Sequence, residues 1–410
     1  MRMKFNKSSQ LLLVSAASLL VAGLVTACGT LTVDFVYVAS SKAAGANNYG
    51  EINVFEVNQE SGFMRQIPTS PFPSGGRNPV AEAVSTDHAN LYVVNQDDNT
   101  IVQFTIGNDG KLYPQVTTNT PGVFPLAVTV AGSYLYVLDT FQPLPSCSTA
   151  DPCSGSVAVF PVLTAAQAQA LSPSESADAL GTPVANTALG TSYWPLTLSG
   201  ANSADVILPT GINVLTSGSN TYVYIAAYDT TAKTGYVFGF SASSGVLTAL
   251  SGSPFVAGTH PSAIASDSTG SYVYVTDSAN AHVLAYAVSS GLLTTVSGSP
   301  YATGGQPSAV VADPSAGYLY VTNGGDSTVK AYSIGSGGAL TSLGTYTTGL
   351  QPVAMGIDPS KNHFLYTVNF LGNNVSSFEL SLTDGTLINS QNSTYTSNPQ
   401  PTAVAAVPHK

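Results

Sequence analysis

Glu82 is the residue of this sequence most at odds with its neighbours. It stands in Pro79-Val-Ala-Glu-Ala-Val84, whereas six comparable segments place Val128, Ile212, Ile264, Val310, Met355 and Val404 at the same point. A carboxylate in an apolar slot either takes a cationic partner or has its pKa raised by burial. Arg77, five residues earlier, is the partner the sequence offers. Without one, Glu82 would suit proton transfer; with one, it would be structural, because buried ion pairs also perturb pKa values. Both readings stay open at this stage. His260 is the second candidate for moving a proton, with Asp139, Asp229 and Asp277 as neighbours in a shared environment. A Ser–His–Asp set would need a nucleophile, and no Gly-x-Ser-x-Gly turn introduces one. Asn95-Gln-Asp-Asp-Asn99 is acid-rich, but it lacks the ligand spacing of a calcium loop and reads as solvated. No metal site or cofactor is expected.

The elements that must hold these residues follow from a repeat. Tyr274-Val-Thr-Asp277 and Tyr320-Val-Thr-Asn323 return as variants beginning at Tyr37, Tyr92, Tyr136, Tyr224 and Tyr366. A proline followed two places on by a small residue precedes each copy from the second onward: Pro79/Ala81, Pro125/Ala127, Pro209/Gly211, Pro261/Ala263, Pro307/Ala309 and Pro352/Ala354. A seventh pair, Pro401/Ala403, has no Tyr-Val motif after it, and Tyr37 has no such proline before it. One repeat is therefore split between the two ends. A period of roughly forty-five residues with four strand-like runs predicts an all-β, seven-bladed β-propeller of four-stranded blades. Pro401–Val407 is expected to supply the inner strand of blade one and close the ring. The small residue after each proline is expected where inner strands converge on the axis. Only Thr164–Leu171 reads as briefly helical.

The sequence divides into an export signal at 1–27, a linker at 28–34 and one propeller domain at 35–408, with blade three enlarged at about 125–208. Arg2, Lys4 and Lys7 precede the apolar run Leu11–Val25, which is short for a membrane span. Val25-Thr26-Ala27-Cys28 resembles the lipobox of bacterial lipoproteins, in which the cysteine is acylated; several acyl chains give durable anchoring. Cys147 and Cys153 remain, and in an oxidising compartment they are expected to pair. Removal of the signal takes three of the 11 basic residues and none of the 22 acidic ones, leaving a net charge of −14. That balance disfavours nucleic acid and anionic lipid surfaces.

The tandem Tyr-Val-Thr-Asn-type repeats, with Asp313-Pro-Ser-Ala-Gly317 and Asp358-Pro-Ser360, resemble the lactonase-like seven-bladed propellers, which include 6-phosphogluconolactonase of the propeller type. The resemblance covers nearly all of the chain after the signal. It implies the fold and, as one alternative, lactone hydrolysis. Enzymes of that family often carry Pro-Arg-His at the start of an inner strand; here the tripeptides run from Pro79-Val-Ala81 to Pro401-Thr-Ala403 with neither arginine nor histidine. A phosphorylated lactone would need cationic clamps, and the only arginines after the signal are Arg65 and Arg77.

The residues before the seven prolines are Asn78, Phe124, Leu208, His260, Gln306, Gln351 and Gln400. In a propeller they would surround one mouth of the central channel. There Gln306, Gln351, Gln400 and His260, with Arg77, Asp139, Tyr228 and Asp277, form a candidate contact set for a hydroxyl-rich ligand. Alternatively they only satisfy loop backbone groups. The expectation is a monomeric, lipid-anchored module of the cell envelope that binds a carbohydrate, lactone or protein ligand at this mouth, with lactone hydrolysis through Glu82 and His260 as the alternative.

Overall fold

The computed structural model describes residues 32–409, apart from 148, 150, 151, 172, 199–204, 316 and 360–363. Cys28 and the export signal lie outside the described residues. Seven antiparallel sheets follow one another around a ring. Blade five shows why. Pro261–Ser266, Tyr272–Asp277, His282–Ser289 and Leu292–Thr295 pair in chain order. The second strand, Tyr-Val-Tyr-Val-Thr-Asp, is almost wholly buried because blades four and six cover its two faces. Val273 and Val275 pack toward blade four, while Tyr274 packs toward blade six. Period-two alternation with both faces apolar is what this double burial requires.

In six of the blades the repeated tyrosine is hydrogen-bonded to the next blade. Tyr274 Oη donates to Gly338 O at 3.1 Å, Tyr320 to Gly385 O at 3.1 Å, Tyr224 to Gly291 O at 2.8 Å and Tyr37 to Gly110 O at 3.1 Å. Each acceptor lies in the turn between the third and fourth strands of the following blade. That turn is glycine because an aromatic ring two residues before the tyrosine lies against it. A Cβ on Gly338, whose φ is +80°, would sit 2.3 Å from Tyr272. Blade two replaces the glycine acceptor with Asp178 O, 2.7 Å from Tyr92 Oη. Tyr274→Phe keeps the packing and leaves the Gly338 carbonyl without its donor. It is expected to cost about 1 kcal/mol, seen as a lower urea midpoint with an unchanged slope.

The ring closes as the split repeat requires. Pro401–Pro408 pairs with Thr32–Ala44 in antiparallel register from Asp34↔Pro408 to Ser40↔Pro401. Tyr49–Asn58 and Met64–Gln66 complete blade one. The small residues after the prolines also have the expected cause. A Cβ on Gly211 would lie 3.5 Å from Ala263 Cα on the adjacent inner strand, so a methyl fits and little more does.

Blade three carries its enlargement in two places. The loop after Tyr134–Phe141 holds the Cys147–Cys153 disulfide, with Cα atoms 5.3 Å apart. The segment after Ser156–Pro161 contains the short helix Ala165–Gln169, capped by Thr164 and Gln167 in a capping box. The outer edge of three blades is broken in two. In blades one, four and five the chain turns at Ser70-Pro71, Ser253-Pro254 or Ser299-Pro300, and two more residues pair with the third strand. The serine hydroxyl accepts the third-strand N–H that the break exposes, at 2.8 Å from Val54 N, 2.9 Å from Gly239 N and 3.0 Å from Ala285 N.

Candidate functional site

All seven inner strands carry a bulge at the residue after proline, so that one residue is skipped in the pairing between, for example, Pro307 and Ala309. A bulge re-aims its side chain. Three of these residues bond to the next blade. Ser262 Oγ donates to Pro307 O at 2.6 Å, Ser308 Oγ to Pro352 O at 2.6 Å and Thr402 Oγ1 to Pro79 O at 2.8 Å. The residues before the prolines are held as well. Asn78, Phe124, Gln306, Gln351 and Gln400 have φ between 52° and 58°, a region that side-chain-bearing residues rarely occupy. Their conformation aims each carbonyl at the loop between second and third strands. Gln306 O accepts from Gly324 N, Gln351 O from Phe370 N and Gln400 O from Ser41 N, each at 2.9 Å. Their N–H groups are met by side chains of the second-to-third-strand loops, Phe124 N by Asn99 Oδ1 at 2.7 Å, Gln351 N by Ser327 Oγ at 3.2 Å and Gln400 N by Asn373 Oδ1 at 2.9 Å.

A cavity of about 500 Å³ opens there, off the axis, over blades five to seven. His260, Gln306 and Gln351 line its rim, Ser262 and Ser308 its floor, and Pro352 and Val353 its apolar side. Among the described residues no charged side chain lines it. His260 is fixed on two sides. Its ring lies 4.0 Å from that of Tyr228 at 37°. Its Nδ1 is 3.0 Å from Ser278 Oγ, while the same hydroxyl lies 3.1 Å from His260 O. The serine's one proton is assigned to the carbonyl, so Nδ1 carries a proton and donates it to Oγ. With that assignment the free lone pair of the imidazole is on Nε2.

Of the residues singled out from sequence, the structure brings His260, Gln306, Gln351 and Tyr228 together. Asp277 lies directly beneath them. Its carboxylate is buried and accepts from Thr259 N at 2.8 Å, His260 N at 3.1 Å, Ala279 N at 3.1 Å and Asn280 Nδ2 at 2.8 Å. Burial pushes its pKa up, but these donors outweigh it and hold it below the usual carboxylate range. In blade five the last residue of the Tyr-Val repeat therefore fastens the loop that carries the mouth residue. Asp139, in blade three, accepts from Gly122 N at 3.1 Å, and burial pushes its pKa up to about 8. Gln400 is on blade one and Arg77 on blade two, outside this cavity.

The pairing of Glu82 with Arg77 is overturned. Arg77 Nη2 lies 2.5 Å from Asp98 Oδ1, and Arg77 N donates to Asp98 Oδ2 at 2.7 Å. The acid-rich loop serves this partner, and its middle forms the short turn of helix Gln96–Asp98. Among the described residues no group of His, Cys, Asp and Glu could hold a metal ion. Both carboxylate oxygens of Glu82 are buried without a hydrogen-bond partner. Glu82 is in register with Val93, which packs with Tyr37 and Ala405 between blades one and two. Burial pushes its pKa up to about 8. It is not among the cavity-lining residues.

Sequence reasoning missed the bulge residues Ser262 and Ser308, and with them the confinement of the cavity to three blades. The available signal was the hydroxyl between proline and alanine in Pro261-Ser-Ala263 and Pro307-Ser-Ala309, where blades two, three and seven have Val80, Leu126 and Val353.

Fold and site together define a seven-bladed propeller with a cavity over blades five to seven that is lined, among the described residues, by uncharged side chains. Residues 224–406, which hold the whole cavity, match the family model described as "Lactonase, 7-bladed beta-propeller". Among solved structures, a putative 6-phosphogluconolactonase from Bacteroides fragilis is similar at 18% identity and a TM-score of 0.69, covering 92% of this chain and 99% of that one. The periplasmic gluconolactonase of Pseudomonas aeruginosa is similar at 18% identity and a TM-score of 0.70, with the same coverage. At this identity the likeness is one of fold. No curated protein matches the chain.

Proposed function

We propose that this protein is an exported propeller, anchored in the cell envelope through Cys28, that binds an uncharged, hydroxyl-rich ligand such as a carbohydrate or an unphosphorylated lactone at the mouth over blades five to seven. One observation carries the reading: a 500 Å³ cavity whose polar groups are amides, hydroxyls and one imidazole, with no cation to neutralise a phosphate. The strong negative charge of the chain and the absence of lining cations argue against nucleic acid as a partner. Export is supported by the disulfide, which persists in oxidising compartments.

A second reading, hydrolysis of such a lactone, is favoured by the free Nε2 of His260. The imidazole would take a proton from water as its oxygen attacks the lactone carbonyl. The ring C–O bond would then break, the proton would pass to the leaving alkoxide, and a hydroxy acid would be released. The names of the similar structures, a gluconolactonase among them, agree with this chemistry.

Titration of glucono-δ-lactone, γ-butyrolactone, 6-phosphogluconolactone and neutral oligosaccharides, followed by calorimetry and by acid release in a pH-stat, separates the two. Binding without acid release, weakened roughly tenfold or more by Gln351→Ala, is expected for a binding module. Acid release abolished by His260→Ala is expected for a lactonase. Preference for the phosphorylated lactone would overturn both.

A further inference from the structure

We propose that the ligand of this mouth is amphipathic: a neutral head seated on His260, Gln306 and the floor serines, and an aliphatic chain leaving the cavity across Leu350 and Leu371. The inference rests on the binding reading above and specifies its ligand class.

Leu350 and Leu371 are 62% and 61% exposed, two of the three most exposed large apolar side chains among the described residues. They belong to different elements. Leu350 is in the connection entering blade seven, and Leu371 is in the loop between that blade's second and third strands. The backbone ties these two elements together: Gly372 N donates to Leu350 O at 3.1 Å and Phe370 N to Gln351 O at 2.9 Å. Gly372 must be small for this, since a Cβ there would come within 3.0 Å of Leu350 N. The two leucines thus stand on paired loops at the blade-seven edge of the cavity, which we call its lip, and the chain runs from Leu350 directly into cavity residues Gln351, Pro352 and Val353.

The cavity is graded across its width. Its blade-five side presents the imidazole and hydroxyls, and its blade-seven side presents Pro352, Val353 and then the exposed lip. Two exposed leucines cost solubility and fill no gap in the fold, whereas a methylene chain laid across them would leave water with them. A fully polar sugar would leave the exposed leucines in water. The pair is also too small for a stable protein interface, which needs many more residues a side.

The test uses the full chain with Cys28→Ser, so that no acyl group of the protein competes. Methyl, butyl and octyl β-glucosides and γ-lactones with matching alkyl chains are titrated by calorimetry below their micelle concentrations. Affinity is expected to rise with chain length, by roughly a hundredfold from methyl to octyl for a chain half buried on the lip. In the double variant Leu350→Ser/Leu371→Ser that ratio should fall to near one. Val256→Ser, which removes an equally exposed side chain elsewhere (66%), should leave the ratio unchanged. Equal affinity across chain lengths overturns the amphipathic ligand and leaves the binding reading standing. So does a chain-length preference that survives in the double variant. If no head group binds at any chain length, the binding reading itself has failed. If Val256→Ser lowers the ratio as much as the lip variant, the lip is not the chain's seat and the inference fails.

Discussion

Truncation after Gln400 is expected to abolish cooperative folding. The lost strand is registered with Asp34–Ser40 of blade one, and it also supplies two apolar layers. Ala405 and Val407 pack between blades one and two, while Val404 and Ala406 pack between blades seven and one. Thr402 also loses its bond to Pro79 O. Removing one strand therefore opens two blade boundaries and leaves an unpaired edge along a buried strand. A domain stabilised by about 5–15 kcal/mol in total does not survive the loss of that much core. Scanning calorimetry of the truncated chain should show no sharp transition, and urea unfolding should be shallow. A midpoint and slope equal to the parent's would show that the ring does not depend on its closing strand.

The second large effect is expected at Glu82, and it depends on pH. Its carboxyl is buried, unpartnered and raised to about 8, against an unfolded value near 4.5. Below the unfolded value both states hold the proton. Between the two values the folded state holds it and the unfolded state gives it up, so stability falls as pH rises through this window. The fall is at most about 1.4 kcal/mol per pH unit from this group. Asp139, also raised to about 8, adds a second slope of the same sign. Glu82→Val installs the residue found at 128, 310 and 404 in other blades and should stabilise the protein by ~2–4 kcal/mol at pH 8. The gain should shrink toward pH 5, leaving the Asp139 slope in place. Glu82→Gln should flatten the dependence too, since it resembles the protonated acid. Denaturant melts at pH 5, 6.5 and 8 decide the matter: a Glu82→Val variant that is less stable than the parent at pH 8 would mean that the carboxylate has a partner. Because the group lies between blades, any lactone turnover at the mouth should be indifferent to Glu82→Gln.

Legibility in the sequence followed periodicity. Tyr-Val repeats and proline–small pairs are imposed by blade stacking, so fold, closure and the brief helix at Ala165–Gln169 could all be read from one chain. The mouth residues His260, Gln306 and Gln351 were reachable because they stand at fixed offsets from prolines. Partnership was not reachable. Arg77 is five residues from Glu82, yet in the ring it faces the loop after the second strand, where Asp98 waits 21 residues away. Nor could offsets distinguish Asp277, which fastens a loop, from a side chain that meets a ligand. Both stand beside the mouth, and only the donors around the carboxylate tell them apart.

The register of blade one also bears on how the chain must be made. Its second, third and fourth strands are synthesised first and its inner strand last, with six complete blades in between. Throughout that interval the nascent chain carries an open flank at Asp34–Ser40 that nothing but its own final residues is built to cover. The pairing that completes the fold is thus among the least local contacts the chain can form, with more than 350 residues between partners, and such contacts form slowly. A chain that stalls or is cut anywhere before Pro401 is therefore not a smaller propeller. It is a strand-pairing hazard, and quality control in the compartment where the protein folds would have to recognise it as one.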